Sequence, residues 1–125
     1  MATRENLQLR TGVDHGYEYV ILNAAQTAAV DISGWSLSWM MKRTLDQSDA
    51  QAAITKTTPS GIVISGTFNA DPSLNTQVAT VVIADTDTDN LAPNVYVYEL
   101  KRMDAGSEAV LADGRLRLDR SVHRQ

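Results

Sequence analysis

Six oxygen-bearing side chains follow one another in the segment Asp85-Thr86-Asp87-Thr88-Asp89-Asn90. Carboxylates at alternate positions are typical of the start of a calcium-binding loop, because the ion is held by oxygen ligands. In such a loop the sixth residue is glycine and the twelfth is a bidentate glutamate, whereas Asn90 and Tyr96 occupy those positions here. We therefore expect no metal site. The segment instead predicts a solvated turn between two strands, with Asp85 as its N-cap.

The histidines and glutamates are the other candidates for chemistry. A hydrolytic triad needs a nucleophile, a base and an orienting acid in one place, and neither His15 nor His123 is accompanied by a nucleophile motif such as Gly-x-Ser-x-Gly. Paired carboxylates that cleave a glycosidic bond must flank a cleft. Glu18, Glu99 and Glu108 fall on predicted strands of a small domain with little surface for one. We predict no catalytic residue and no cofactor, so the chain is not expected to be an enzyme.

Composition narrows the class of protein further. The 125 residues are enough for a single domain, 1–125, and the formal net charge of -4 disfavours a nucleic-acid or anionic-membrane partner. The sequence has no cysteine, which excludes disulfides and thiolate zinc sites. It also lacks an apolar stretch long enough for a signal peptide or a membrane helix. The simplest expectation is synthesis in the cytoplasm without export.

The elements that would position any site are strands. From Trp35 to Lys42, large apolar side chains alternate with smaller or polar ones, as in a strand with one buried face. The same period of two runs through Val95–Met103. These two segments supply the predicted core residues: Trp35, Leu37, Trp39, Tyr96, Tyr98 and Leu100.

Further strands are predicted along the rest of the chain. A first strand is indicated by Leu7 and Leu9, others by the segments 16–23, 61–66 and 77–84, and a hairpin by the Asp104-Ala105-Gly106 turn. We expect a second turn at Asp113-Gly114, followed by a last strand with Leu116 and Leu118 inward. Residues 44–54 are compatible with a short helix or a mobile loop. Seven or eight mostly antiparallel strands, with at most one or two helical turns, predict an all-β sandwich.

The order of these features resembles a family. The sequence is similar to the short immunoglobulin-like β-sandwich proteins of tailed bacteriophages, which are related to the N-terminal domain of siphophage upper baseplate proteins. The resemblance covers nearly the whole chain and depends on the shared order of the motifs. The matching segments are Arg10-Thr11-Gly12, Tyr17-Glu18-Tyr19, Val30-Asp31-Ile32-Ser33-Gly34-Trp35, Arg43, Gly61-Ile62-Val63-Ile64, Leu91, Tyr96-Val97-Tyr98-Glu99-Leu100, Ala105-Gly106 and Leu111-Ala112-Asp113-Gly114.

The resemblance implies a structural protein of the virion. A small sandwich suits a decoration or cement subunit that binds the assembled head in many copies, with the major capsid protein or other virion proteins as partners. A homo-oligomer or a symmetric array would multiply a modest affinity. The alternative is a tail, neck or baseplate adaptor that anchors a fibre or receptor-binding protein.

Candidate partner contacts come from termini and loops, because binding residues are often carried there by a rigid scaffold. We expect them in the N-terminal arm Met1–Asn6, in the segment Thr44–Thr57, and on the last strand, whose arginines would pair with an acidic neighbour. An exposed Met40 is a further candidate. The predicted partner-binding residues are Arg4, Met40, Arg43, Arg115, Arg117 and Arg120.

Overall fold

The alternating segments of the sequence form two β-sheets that face each other across one core. A computed structural model describes residues 3–122, and these residues form nine strands, one 3-10 turn and one short helix. The strands are β1 (Thr3–Arg4), β2 (Leu7–Arg10), β3 (His15–Tyr19), β4 (Leu37–Lys42), β5 (Ile54–Thr57), β6 (Ile62–Ser65), β7 (Val78–Ile83), β8 (Asn94–Arg102) and β9 (Ala109–Asp119). The 3-10 turn is Asp49–Gln51 and the helix α1 is Asp85–Thr88. The predicted all-β sandwich is confirmed.

The strand order is that of an immunoglobulin-like sandwich. The larger sheet has the order β5-β4-β8-β9, and β1 and β2 follow one another along the far side of β9. The smaller sheet has the order β3-β7-β6. In immunoglobulin lettering these sheets correspond to C′-C-F-G and to B-E-D. The pairings of β1 and β2 with β9 are parallel, and the other strand pairs are antiparallel.

Three stacked aromatic rings join the two sheets at the centre of the core. Trp39 on β4 is fully buried, and its ring centroid lies 6.2 Å from that of Tyr17 on β3 and 5.8 Å from that of Tyr98 on β8. In antibody domains the tryptophan of strand C packs against a disulfide between strands B and F. Here tyrosines on the equivalent strands occupy both sides of the tryptophan. The chain therefore links its sheets without a covalent bond.

The turn that enters β8 is fixed by a second tyrosine. The Tyr96 hydroxyl donates a hydrogen bond to the Ala92 carbonyl oxygen at 2.6 Å, four residues upstream. This is the arrangement of the tyrosine corner at the start of strand F in immunoglobulin-like domains. Tyr96, Tyr98 and Leu100 all point into the core, together with Leu37 and Trp39 from β4.

Trp35 is a correction to the predicted core. It precedes β4, and its N–H donates to the Ile32 carbonyl oxygen at 3.1 Å in the turn before the strand. The indole is only half-buried at the margin of the core. Its outer ring face is covered by the Arg102 guanidinium, 3.8 Å from the ring centroid. Trp35 is therefore an edge residue held by a cation–π contact.

The predicted turn at Asp113-Gly114 is wrong, because β9 runs without interruption from Ala109 to Asp119. Gly114 has a φ of 154° and faces the chain between β1 and β2. A Cβ at this position would collide with the Glu5 carbonyl oxygen. The glycine therefore permits close approach of the N-terminal strands. The strand irregularity lies elsewhere, in a bulge opposite Leu100 and Lys101.

Two tyrosine hydroxyls hold the N-terminal strands against the sandwich. The Tyr98 hydroxyl donates to the Glu5 carbonyl oxygen at 2.6 Å, and the Tyr17 hydroxyl donates to the Gln8 carbonyl oxygen at 3.0 Å. The first strand predicted around Leu7 and Leu9 is β2.

Two local expectations are also corrected. Residues 44–53 form neither a regular helix nor a plain loop, since they contain the 3-10 turn, and the end of the candidate segment Thr44–Thr57 is strand β5. The N-cap of α1 is Ala84, whereas Asp85 is the first residue of the helix. An acid nevertheless accepts a hydrogen bond from the backbone of the cap residue, because the Ala84 N–H donates to Asp87 Oδ2 at 2.7 Å.

Candidate functional site

The outward-facing side chains of β4, β8 and β9 form a concave surface, which we call the outer face. It contains a groove of about 480 Å³. One wall is formed by Arg4 and Asn6 at the N-terminal edge, and the other by Leu45 and Asp49 from the segment between β4 and β5. A sheet face between two raised walls is a geometry suited to binding another macromolecule.

The strand register sets which side chains are neighbours on this face. Met40, Glu99, Asp113 and Arg4 stand side by side in one row across β4, β8, β9 and β1. Lys42, Val97 and Arg115 form the adjacent row. Arg4, Met40 and Arg115, three of the predicted partner-binding residues, are thus brought together in the groove.

Two of the groove's acids are already paired. Arg4 Nε lies 3.5 Å from Asp113 Oδ1, and Lys42 Nζ lies 2.8 Å from Asp49 Oδ1. The hydrogen bond and charge of Lys42 hold the pKa of Asp49 below its usual value. Lys42 also donates to the Gln47 carbonyl oxygen at 3.1 Å, which fastens the β4–β5 segment over the sheet.

Three charged groups in the groove are unpaired. Among the described residues, no side chain forms an ion pair with Glu99, Lys101 or Arg115. Glu99 and Arg115 are exposed, and Lys101 is half-buried. Lys101 lies near enough to Asp49 for its charge to lower the pKa of that acid, but it forms no close ion pair, so all three groups can contact a partner.

Apolar side chains surround these charges. Leu45 on the rim is 83% exposed and Met103 is 46% exposed. Met40, expected to be exposed, is half-buried, because it lies in the sheet between Thr55 of β5 and Glu99 of β8. Val97 is half-buried for the same reason. The surface therefore offers apolar side chains of the kind that interface cores bury, beside charged groups that a partner of complementary charge could pair.

The other predicted arginines lie outside the groove. Arg117 lies beyond Arg115 on β9, and its Nε is 2.9 Å from Asp119 Oδ1. Arg120 follows β9, while Arg10 pairs with Asp119 across β2 and β9. We call Arg10, Arg117 and Arg120 the arginine end. Arg43 is separate, since it follows β4 and its guanidinium carbon lies 5.9 Å from the Tyr96 ring centroid.

The residues considered for chemistry are used structurally. Asp87 Oδ2 lies 2.8 Å from Lys56 Nζ, and the Asp85 N–H donates to Asp14 Oδ1 at 2.7 Å. Within residues 3–122, no group of three or more His, Asp or Glu side chains is arranged to hold a metal ion. His15 begins β3, where its ring contacts Tyr17 with centroids 4.5 Å apart. His123 lies outside the described residues.

Sequence reasoning missed Val97, Lys101 and Met103 as members of the groove, whereas Leu45 belongs to the predicted contact segment Thr44–Thr57. It weighed Glu99 as a catalytic acid and favoured an exposed position on a strand near Lys101 or Arg102. The alternation of β8 was a usable signal, because Val97, Glu99 and Lys101 must face away from a core that takes Tyr96, Tyr98 and Leu100. The positions of Leu45 and Met103 follow from loop conformation and carry no such signal.

Comparisons with known proteins add no identification: no protein-family model and no curated protein matches the sequence. The helical segments within residues 3–122 are too short to cross a membrane.

Proposed function

We propose that the chain is a non-catalytic structural protein of a bacteriophage virion, most specifically a decoration or cement subunit bound in many copies to the assembled head. The observation that carries this proposal is the order of motifs along the chain, which resembles that of phage sandwich proteins. The outer face and the arginine end support it, since the first combines apolar and charged side chains and the second concentrates positive charge. The major capsid protein is the proposed partner.

The head contact in this proposal is the arginine end. The chain carries a formal net charge of -4, yet Arg10, Arg117 and Arg120 are all exposed. The charges of Arg10 and Arg117 both act on Asp119, and Arg120 follows it in the sequence. Cations concentrated on an otherwise acidic protein suit an acidic patch on a neighbour, because complementary charges steer association and fix register. Many identical contacts on a symmetric lattice would then compensate for a modest affinity at each.

The alternative function is an adaptor in the tail, neck or baseplate that anchors a fibre or receptor-binding protein. The resemblance to the N-terminal domain of upper baseplate proteins favours this candidate. It differs from the first in copy number, because a tail or baseplate has few equivalent positions and a head has hundreds.

Copy number per particle therefore tests the proposal. Quantitative mass spectrometry of purified virions, scaled to the major capsid protein, is expected to give hundreds of copies. A dozen or so would favour the adaptor, and absence from the particle would contradict both functions.

The contact surface is tested separately with charge-reversed chains. Particles assembled with R117E/R120E are expected to lose most of their copies. E18K is the control, because Glu18 is an exposed charge on β3 in the smaller sheet, and its occupancy should equal that of wild type. Equal occupancy for wild type and R117E/R120E would show that the arginine end is not the contact.

A further inference from the structure

Glu99 lies at the middle of the outer face without a close ion-pair partner among the described residues. Across the sheet its neighbours are Met40 on β4 and Asp113 on β9. Like charges directly opposite one another on paired strands are destabilising. Arg4 relieves Asp113 through their 3.5 Å contact, but it leaves Glu99 unpaired. A cation brought from outside would therefore be stabilising at this position.

Matching cations lie on the same face. Lys101 is two residues further along β8, which places its Cα about 7 Å from that of Glu99 on the same side of the sheet. Arg115 stands opposite Val97, diagonal to Glu99. Glu99 is thus a negative charge with the positive charges of Lys101 and Arg115 beside it. The face presents positive and negative charge within a short distance.

We propose that the outer face binds a second copy of this chain in a two-fold symmetric dimer. A two-fold axis that lies in the interface and crosses β8 between Glu99 and Lys101 places each Glu99 against the Lys101 of the other copy. Symmetry makes both ion pairs form together. A uniformly acidic or basic partner would satisfy one sign and repel the other, which is why a second copy fits better.

The shape of the face supports the same partner. Leu45 projects from the rim with 83% of its surface exposed, and the groove beside it is lined by Met40, Val97 and Met103. The axis across β8 brings the two rims that carry Leu45 to the same side of the interface, where their exposed apolar side chains can pack together. Burying Leu45 and Met103 adds apolar contact to the two ion pairs.

Sedimentation velocity and light scattering across the micromolar range test the dimer with purified chain. We expect wild type to dimerise, and E99K and K101E each to raise the dimer dissociation constant by roughly tenfold or more, because each variant faces like charges across the axis. An equal mixture of E99K and K101E restores both ion pairs, so it should form a heterodimer. The double variant E99K/K101E should dimerise with itself for the same reason.

The control is E18K, a charge reversal on an exposed position of β3 in the smaller sheet, which should leave the dimer unchanged. Circular dichroism verifies that each variant is folded. A wild-type monomer at all concentrations would overturn the proposal. So would a dimer insensitive to E99K, or single variants that neither the mixture nor the double variant rescues. The copy number per particle tests the virion assignment, and the molar mass of the purified chain in solution tests the dimer. Either proposal can therefore be contradicted while the other stands.

Discussion

Replacing Gly114 with alanine should separate the N-terminal strands from β9. The new Cβ would meet the Glu5 carbonyl oxygen, which belongs to the backbone and cannot rotate away. The segment between β1 and β2 must therefore move. Two hydrogen bonds depend on its position: the Glu5 N–H donates to the Asp113 carbonyl oxygen at 3.0 Å, and the Tyr98 hydroxyl donates to the Glu5 carbonyl oxygen at 2.6 Å.

The size of the loss follows from these contacts. Tyr98 is only 3% exposed, so its hydroxyl would lose the Glu5 acceptor inside the core, where the Tyr19 hydroxyl is the neighbouring polar group. An unsatisfied buried donor costs about 1–3 kcal/mol, and the lost backbone bond about 1 kcal/mol. The backbone strain at a φ of 154° adds about 1 kcal/mol. We expect Gly114→Ala to lower the free energy of unfolding by about 3–5 kcal/mol.

Urea unfolding followed by tryptophan fluorescence measures this loss, and hydrogen exchange locates it. Gly106→Ala is the matched control: Gly106 has a φ of 80°, and a Cβ there would have no neighbour within 4 Å. The control isolates the conformational cost, about 1–2 kcal/mol. In Gly114→Ala the amides of residues 4–10 should exchange faster, whereas in Gly106→Ala they should not. Equal stability of the two variants would refute the reasoning.

Two further predictions concern the aromatic core. Trp39→Ala should lower the free energy of unfolding by about 3–5 kcal/mol, because the side chain is fully buried. The half-buried Trp35 provides the comparison, and an equal loss for Trp35→Ala in chemical denaturation would contradict the assignment of the core. Burial raises the pKa of Tyr17 from 10.0 to about 12. Below pH 10 the phenol is neutral in both the folded and the unfolded chain, so its ionisation does not change the free energy of unfolding. Between pH 10 and 12 the unfolded chain ionises first and stability falls; Tyr17→Phe should make this decline shallower in denaturation curves measured across that range.

Alternation predicted strands well where one face is buried and the other is not. β4 and β8 follow this rule, since Leu37, Trp39, Tyr96, Tyr98 and Leu100 all face inward. The rule failed at Gly114, where a glycine after an aspartate has the composition of a turn. Its actual role depends on the approach of Glu5, more than a hundred residues earlier. Contacts at such a separation leave no periodic signal in the local sequence.

The sequence predicted several residues of the candidate site, but it did not predict that they lie together in one groove. Arg4, Met40 and Arg115 were identified from exposure and charge, but their meeting in one groove depends on the pairing of β1, β9, β8 and β4. Alternation within a strand states which side a residue faces, and it carries no information about the neighbouring strand. The sequence also could not predict that Glu99 lacks an ion pair, because this depends on Arg4 forming its ion pair with Asp113.

The parallel pairing of β1 and β2 with β9 joins the two ends of the described chain, from Thr3 to Asp119. During synthesis, therefore, the first strands emerge long before the strand that will hold them. The edge of β8 that pairs with β9 stays open until residues 109–119 are available, and so does the Asp113 carbonyl oxygen that accepts from the Glu5 N–H. Closing so long a loop is entropically costly and slows folding. The sandwich should consequently reach its native state only after residues 109–119 have been synthesised, in a step that pairs β1 and β2 with β9.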